Sequence, residues 1–143
     1  MKTPPGMRHD YLWFTELTTR WMDNDVFRHI NNVVFYSYFD TIANQFLIDE
    51  GGFDFVNDDE VGYVVESGCR YHAAVRHPCR LTGGLRIAHI GRSSVRYEMA
   101  VFAEADQAAA EGHFTHVFVE RASERPTPIP ARIRAAMERV RKP

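Results

Sequence analysis

The chain has 143 residues, 45% of them hydrophobic and 25% charged, with a net charge of −2. That length suits one domain with a real core, so residues 1–143 are read as a single domain with termini 1–10 and 122–143 peripheral to it. The near-neutral charge gives no reason to expect nucleic acid as a partner, and no stretch approaches the roughly 20 apolar residues that span a bilayer, so no membrane segment is expected.

The charge is uneven along the chain. From Arg121 onward seven basic residues oppose two acidic ones, so this tail carries +5 and the remainder −7. Solvation of a terminal helix accounts for that; attraction to an anionic ligand is the sharper reading. Cys69 and Cys79 form no CxxC pair, so neither a disulfide nor a zinc site is expected, and a reducing cytoplasm is the default location. Met1 to Asp10 is polar and lacks the apolar segment of a secretory signal.

Tyr11 to Trp21 places Trp13, Leu17 and Trp21 on one parity and is rich in aromatic and β-branched residues, which predicts a strand. Asp23-Asn24-Asp25 then breaks it. From Asn31 to Glu50 the period lengthens. Phe35, Tyr38, Phe39, Ile42 and Phe46 share one helical face, and Tyr36, Ala43 and Leu47 widen it, so this helix is buried. Asn31 or Asn32 fits its N-cap, and Gly51-Gly52 its stop.

Phe53 to Glu60 reads as a loop. Val61 to Val75 then puts Tyr63, Val65, Ser67, Cys69 and Tyr71 on one strand face. Cys79 to Gly91 follows, with Gly83-Gly84 as a bulge or bend. In Ser93 to Ala103, Val95, Tyr97, Met99 and Val101 oppose Arg96, Glu98 and Ala100; Glu111 to Glu120 is the last strand. Pro126 to Pro130 leads into a short helix over Ala131 to Arg141. The four later strands can follow one another as a meander, because short connections favour antiparallel neighbours. Only a sheet can cover a helix that is apolar on most sides. The fold class is therefore α+β, a curved antiparallel sheet of five strands around one long central helix, with a short C-terminal helix. One sheet face stays open, and a second subunit is expected to help cover the site region.

Arg20 to Asn32 joins the first strand to the long helix and holds the densest chemistry. Asp25 lies just before the helix start, whose first amides have no partners and carry the positive end of the helix dipole. A carboxylate facing such amides can do acyl-transfer chemistry. The amides polarise a carbonyl and hold its oxyanion, while the carboxylate attacks it or activates a water. Taken alone the pattern is modest, since an acid before a helix is usually a cap and a turn histidine such as His29 is usually structural. His113 and His116 face opposite sides of a strand, His72 and His77 bracket a turn, and no metal site is expected.

The series Trp21-x-Asp23-x-Asp25-x-x-x-His29-Ile30-Asn31-Asn32-x-x-Phe35-Tyr36-x-Tyr38-Phe39 resembles the opening motif of hotdog-fold acyl-CoA thioesterases of the 4-hydroxybenzoyl-CoA thioesterase type. Val64 to Tyr71 and Gly91 to Glu98 are similar to that family's second and fourth strands, and the likeness runs from Thr15 to Val119. The resemblance implies a hotdog fold and hydrolysis of an acyl- or aroyl-CoA to acid and free CoA. It implies no cofactor, coenzyme A entering only as part of the substrate. Asp25 matches the catalytic nucleophile or general base, the amide near Asn32 the carbonyl-polarising group, and His29 a position that shapes the catalytic loop. Asp23 and Asn31 match positions that orient the loop and place water or substrate.

By the same resemblance Glu66 and Ser67 border the pocket, Glu66 as a second carboxylate. Arg92, Ser93 and Ser94, with Arg96 and the basic tail, are candidates for the coenzyme A phosphates. Phe35, Tyr36, Tyr38 and Phe39 are mainly core, with one or two lining an acyl tunnel. Such proteins assemble as dimers or tetramers with sites at the interface, so a homo-oligomer, up to a homotetramer, is expected. One departure stands out. The family usually carries Gly before the histidine, where this chain has Arg28; a position that needs positive φ would strain an arginine. Arg28 lends weight to an alternative, a non-catalytic acyl-thioester-binding module. A second alternative on the same fold is an enoyl-thioester hydratase.

Overall fold

The helical period between Asn31 and Glu50 sets the architecture. In the computed structural model, which describes residues 3–143, α1 spans Asn32–Asp49 and buries Phe35, Tyr38, Phe39, Ile42, Ala43, Phe46 and Leu47. Asn31 is the N-cap, its Oδ1 accepting from the Val33 amide at 2.9 Å. The Glu50 and Gly51 amides return to the Phe46 and Leu47 carbonyls, and Gly52 turns the chain with φ of 64°.

The sheet around α1 contains β1 (Trp13–Leu17), β2 (Glu60–Tyr71), β3 (Leu81–Ile90), β4 (Ser94–Phe102) and β5 (Ala110–Glu120), and α2 (Ala131–Arg139) follows. Its order is β1-β3-β4-β5-β2, with every pair antiparallel. The meander therefore holds for β3, β4 and β5, but β2 pairs with β5 at the far edge and not with β3. The link between β2 and β3 is no hairpin. The amides of His72 and Ala73 bond the Ala109 carbonyl, and the Val75 carbonyl accepts from the Ile30 amide, carrying the chain past the start of α1.

A register shift between Val64 and Glu66 bulges β2 against β5. Ser67, Cys69 and Tyr71 keep the parity that faces α1, whereas Tyr63, paired with Val117, falls on the opposite face. In β3 the irregularity lies between Ile87 and His89; Gly83 and Gly84 are regularly paired with Val101 and Ala100. Gly83 is needed for space, because a Cβ there would collide with Ile42. Gly112 of β5 does the same, a Cβ there lying 2.6 Å from the Phe39 ring. The sheet thus approaches α1 closely at two places along its length.

The C-terminal segment is not peripheral. Ile133, Ala136 and Met137 are buried and join the main core. β1 pairs with β3 only from Leu81 to Leu85. Beyond that point the Ile87 amide donates to the Val140 carbonyl and the Lys142 amide to the Ile87 carbonyl, both at 2.9 Å. The chain end closes the half of the β3 edge that β1 is too short to cover. Arg132 pairs with Asp58, Arg134 donates to the Gly91 and Arg92 carbonyls, and Lys142 pairs with Glu98. Docking the tail thus absorbs much of its charge. The N-terminal segment packs on the opposite sheet face, where Tyr11 joins Ala100, Phe102 and Ala108.

His116 faces the core beside the Tyr97 hydroxyl at 3.2 Å, and burial pushes its pKa down to about 4. His113 faces out, as strand alternation requires, 3.4 Å from Glu66. Cys69 and Cys79 are free and partly buried. Among the described residues no helix is long and apolar enough to cross a membrane.

Candidate active site

The loop between β1 and α1 is anchored by Asp23, which is fully buried at 0% exposure. Its Oδ2 accepts from the Tyr38 hydroxyl at 2.7 Å and the Arg20 amide at 2.9 Å, and its Oδ1 from Arg20 Nε at 3.0 Å. Burial disfavours the charged carboxylate, but these donors outweigh it and hold the carboxyl below the usual range. Burial and the Asp23 charge push the Tyr38 phenol up in turn. The Asp23 carbonyl also accepts the Asn31 amide at 2.9 Å. Asp23 ties the loop to the middle of α1 and has no surface left for a substrate, so its place among the substrate contacts is not supported.

Between Asn24 and Ile30, which form an isolated bridge, the chain makes a tight reversal. The Arg28 amide donates to the Asp25 carbonyl and the Asp25 amide to the His29 carbonyl, each at 3.0 Å. Arg28 closes the turn with φ of 67°. A turn followed by one left-handed residue is the usual short-hairpin solution, and glycine fits that position best. The backbone requirement at this position is thus present, and an arginine meets it. The Arg28 carbonyl accepts Arg76 Nε at 3.1 Å, and Asn24 clamps the His77 backbone through both ends of its amide.

Asp25 is held at the head of this reversal, partly exposed. Its Oδ1 accepts the Phe27 amide at 2.8 Å and its Oδ2 accepts Asn31 Nδ2 at 2.9 Å. Because the Asn31 Oδ1 caps Val33, one side chain couples the carboxylate to the helix start. Asn32 opens α1, and its amide donates to no protein acceptor among the described residues. Its carbonyl accepts the Tyr71 hydroxyl at 2.9 Å, which ties β2 to the helix start. A partly exposed carboxylate and an open helix-terminal amide are thus held together at the positive end of α1, an arrangement able to activate a nucleophile and stabilise an oxyanion.

A cavity of about 380 Å³ adjoins this helix start, bounded by His29, Asn32, Phe35 and Tyr71 and by the segment from His72 to Val75. A cavity of about 450 Å³ lies on the other face of the sheet, where Arg70, Arg86 and Arg96 meet Glu98 and Glu111. We place the chemistry at the smaller one, since the larger is remote from Asp25 and its Arg86 is already paired with Glu98 at 2.8 Å.

The chain brings together Asp23, Asp25, His29, Asn31 and Asn32. Ser67 faces the α1 side from the middle of β2, whereas Glu66 points to the opposite face, 3.4 Å from both Arg96 and His113. Arg92 and Ser93 lie in the β3–β4 turn and Ser94 opens β4. That turn lies at the Val117 end of β5, away from the Ala109–Ala110 end that meets the start of α1. Within a single chain these residues stand apart from Asp25. Tyr71 and Asn24 hold the site but are not evident from the motif. Tyr38 belongs to the motif series but lies on the apolar helix face and reads as core, which leaves out its hydroxyl bond to the buried Asp23.

A profile of the thioesterase superfamily matches residues 27–110. The PA5185 protein from Pseudomonas aeruginosa superposes with a TM-score of 0.95 at 46% identity, over 97% of this chain and 98% of that one. A thioesterase from Thermus thermophilus, complexed with coenzyme A and zinc, gives 0.77 at 26% identity over 92% and 95%. A 1,4-dihydroxy-2-naphthoyl-CoA thioesterase from Synechocystis gives 0.78 at 16% identity over 87% and 93%, a likeness of fold alone. No curated protein matches the chain. The chain belongs to the thioesterase superfamily, with the hotdog fold, and is a thioester hydrolase. Among the described residues no group of three His, Cys, Asp or Glu side chains is placed to hold a metal ion.

Two measurements check how this loop is held. In Arg28→Gly, loss of left-handed strain outweighs the extra freedom of unfolded glycine, and stability to urea rises by about 0.5–1 kcal/mol; a fall would show that Arg28 is not strained. Tyr38→Phe removes a donor to a buried carboxylate and costs about 1.5–3 kcal/mol at neutral pH. Because the folded pKa of Asp23 is depressed, this contribution is present above its unfolded value of about 3.9 and fades as pH falls through the folded value. Urea midpoints of the two proteins therefore converge in acid; a gap independent of pH would show that the bond does not act through Asp23.

Proposed function

We propose that the protein hydrolyses acyl-CoA thioesters, with Asp25 as the acting carboxylate and the Asn32 amide as the carbonyl's partner. The observation that carries this reading is the Asn31 side chain, which bonds Asp25 at 2.9 Å and caps the first turn of α1 at 2.9 Å. It fixes the base and the positive helix end in one rigid unit. The thioester carbonyl oxygen sits at the Asn32 amide. Asp25 supplies the attacking oxygen directly or removes a proton from a water that attacks the carbonyl carbon. On the water route the C–S bond breaks, the thiolate takes the proton that Asp25 removed, and free acid remains; on the direct route C–S cleavage leaves thiolate and an Asp25–acyl anhydride, which a water then hydrolyses to free acid and the restored carboxylate, its released proton going to the thiolate. His29, at the end of the same reversal, positions the water or the substrate. This chemistry needs no resident metal or redox cofactor, and two free cysteines suit a reducing cytoplasm.

The active form is a dimer built on β2, with a tetramer as its doubled form. This strand is a twelve-residue edge with Tyr63, Val64 and Val65 between 43% and 60% exposed. A long apolar edge calls for a partner strand. Two-fold antiparallel pairing sets the Tyr71 end of one β2 beside the Glu60 end of the other. It thereby brings the partner's β3–β4 turn, with its copies of Arg92, Ser93 and Ser94, toward this site, where those residues can meet the coenzyme A phosphates. Arg28 no longer favours a binding module, since it adopts the backbone that glycine would take.

Asp25→Asn should lower kcat for thiol release by about a thousandfold, within the range of lost general-base catalysis, with an unchanged melting temperature. Near-normal turnover by that variant would sink the mechanism. Val65→Lys places a charge on the edge and should give monomers by light scattering, with activity lost alongside; a stable dimer would rule out this interface.

A further inference from the structure

The cavity beside the start of α1 lies open to solvent, and apolar side chains nearby have nothing over them. Val26 and Phe27 stand at the tip of the reversal, and Val33 on the first turn of α1. At the opposite end of the open β2 edge, the loop from α1 to β2 presents Phe55 and Val56. All five are between 63% and 89% exposed.

That loop is held rigidly. Asp54 Oδ1 accepts the Val56 and Asn57 amides at 3.0 and 3.1 Å. The Asp58 amide returns to the Asp54 carbonyl at 2.8 Å, and Arg121 donates to the Phe55 carbonyl at 2.9 Å. Two apolar side chains are thus fixed in water, ready to gain from burial with little further ordering. Their own site is out of reach. The 18 residues of α1, at ~1.5 Å each, span about 27 Å, so the loop stands at the far end of that helix from Asn32.

A second copy brings the two patches together. Two-fold pairing of β2 lays the Glu60 end of one strand beside the Tyr71 end of the other. Carried a few residues further, the same alignment sets the partner's 53–59 loop against the segment from His72 to Arg76, beside the site. The charges agree. Asp54, Asp58, Asp59 and Glu60 outnumber the Arg121 and Arg132 docked on them, which leaves that end at −2. At the site Arg28 and Arg76, joined through the Arg28 carbonyl at 3.1 Å, outnumber Asp25.

Resting on the β2 dimer and the hydrolase reading, we propose that the active site is composite. The partner's Phe55 and Val56 close over Val26, Phe27 and Val33, forming the wall that one chain lacks and holding the thioester against Asp25 and the Asn32 amide.

Subunit mixing tests this. Phe55→Ser/Val56→Ser should lower kcat/KM for thiol release roughly tenfold, the scale of a lost buried apolar contact, and Asp25→Asn should lower it further. A heterodimer of the two variants, isolated with a different tag on each chain, has one site with both defects and one with neither. It should recover about half of the wild-type rate. Recovery no better than the mean of the parents, or full activity in Phe55→Ser/Val56→Ser, would overturn the proposal. Phe27→Cys/Val56→Cys is the independent probe if the serine variant misfolds. Oxidation with diamide should link it into a dimer that neither single variant forms, nor the wild type with its own Cys69 and Cys79; monomers alone would refute the wall. Co-sedimentation with phosphatidylglycerol vesicles and no cross-link would assign the patch to a lipid surface instead. Should Asp25→Asn stay active, the hydrolytic reading fails while the cross-link still decides the wall.

Discussion

Enclosing α1 is the constraint on which the molecule depends. Phe39, Ile42, Ala43 and Phe46 have no exposed surface at all, and burying each large side chain contributes roughly 1.5–3 kcal/mol. A helix face so apolar cannot be left to water. The sheet must curl around it, and at Gly83 and Gly112 the strands come so near that no side chain fits between strand and helix. The close fit also fixes where α1 begins relative to β5 and β2. The loop that carries Asp25 hangs from that beginning. Packing far from that loop thus decides where the Asp25 carboxylate stands.

The site itself divides into an anchor and a working end. Asp23 is buried and stays charged because Tyr38 and Arg20 surround it with donors. Asp25, two residues on, keeps part of its surface and only two donors. Two carboxylates in one short loop therefore stand in different environments, set by their contacts and not by residue type. Arg28 completes the turn between Asp25 and His29 in a conformation that side chains seldom adopt. Backbone strain of this kind persists where surrounding contacts over-determine the loop, and here the Asn24 clamp and the Asp23 anchor supply them.

Much of this was legible in the residue pattern. The helical period located α1 nearly to the residue, and the alternation of Val95, Tyr97, Met99 and Val101 defined β4 correctly. Asp25, His29, Asn31 and Asn32 could be expected to lie together because they belong to one local segment, and the fold keeps them adjacent. What escaped depends on contacts remote in the chain. The place of β2 beside β5 is decided by the crossing at His72 to Val75, which reads in the sequence as an ordinary turn between neighbouring strands. The bulge at Val65 reverses a parity without any glycine to announce it. Glu66, one residue later, therefore points away from the face its resemblance suggested. The role of Ile133 and Met137 was hidden because a short, basic, proline-led helix reads as surface until the bare edge of β3 is seen.

That closure of β3 by Val140 and Lys142 has a consequence for local opening. These hydrogen bonds come from a segment that follows α2 and can detach without breaking any strand pair. While it is detached, half of the β3 edge stays unpaired beside an otherwise assembled core, a surface that invites strand addition from neighbouring chains. A polar, arginine-rich tail is a sensible device to close it. Its charges keep the waiting segment solvated, and its docking partners, Asp58, the Gly91 carbonyl and Glu98, already stand in place to receive it.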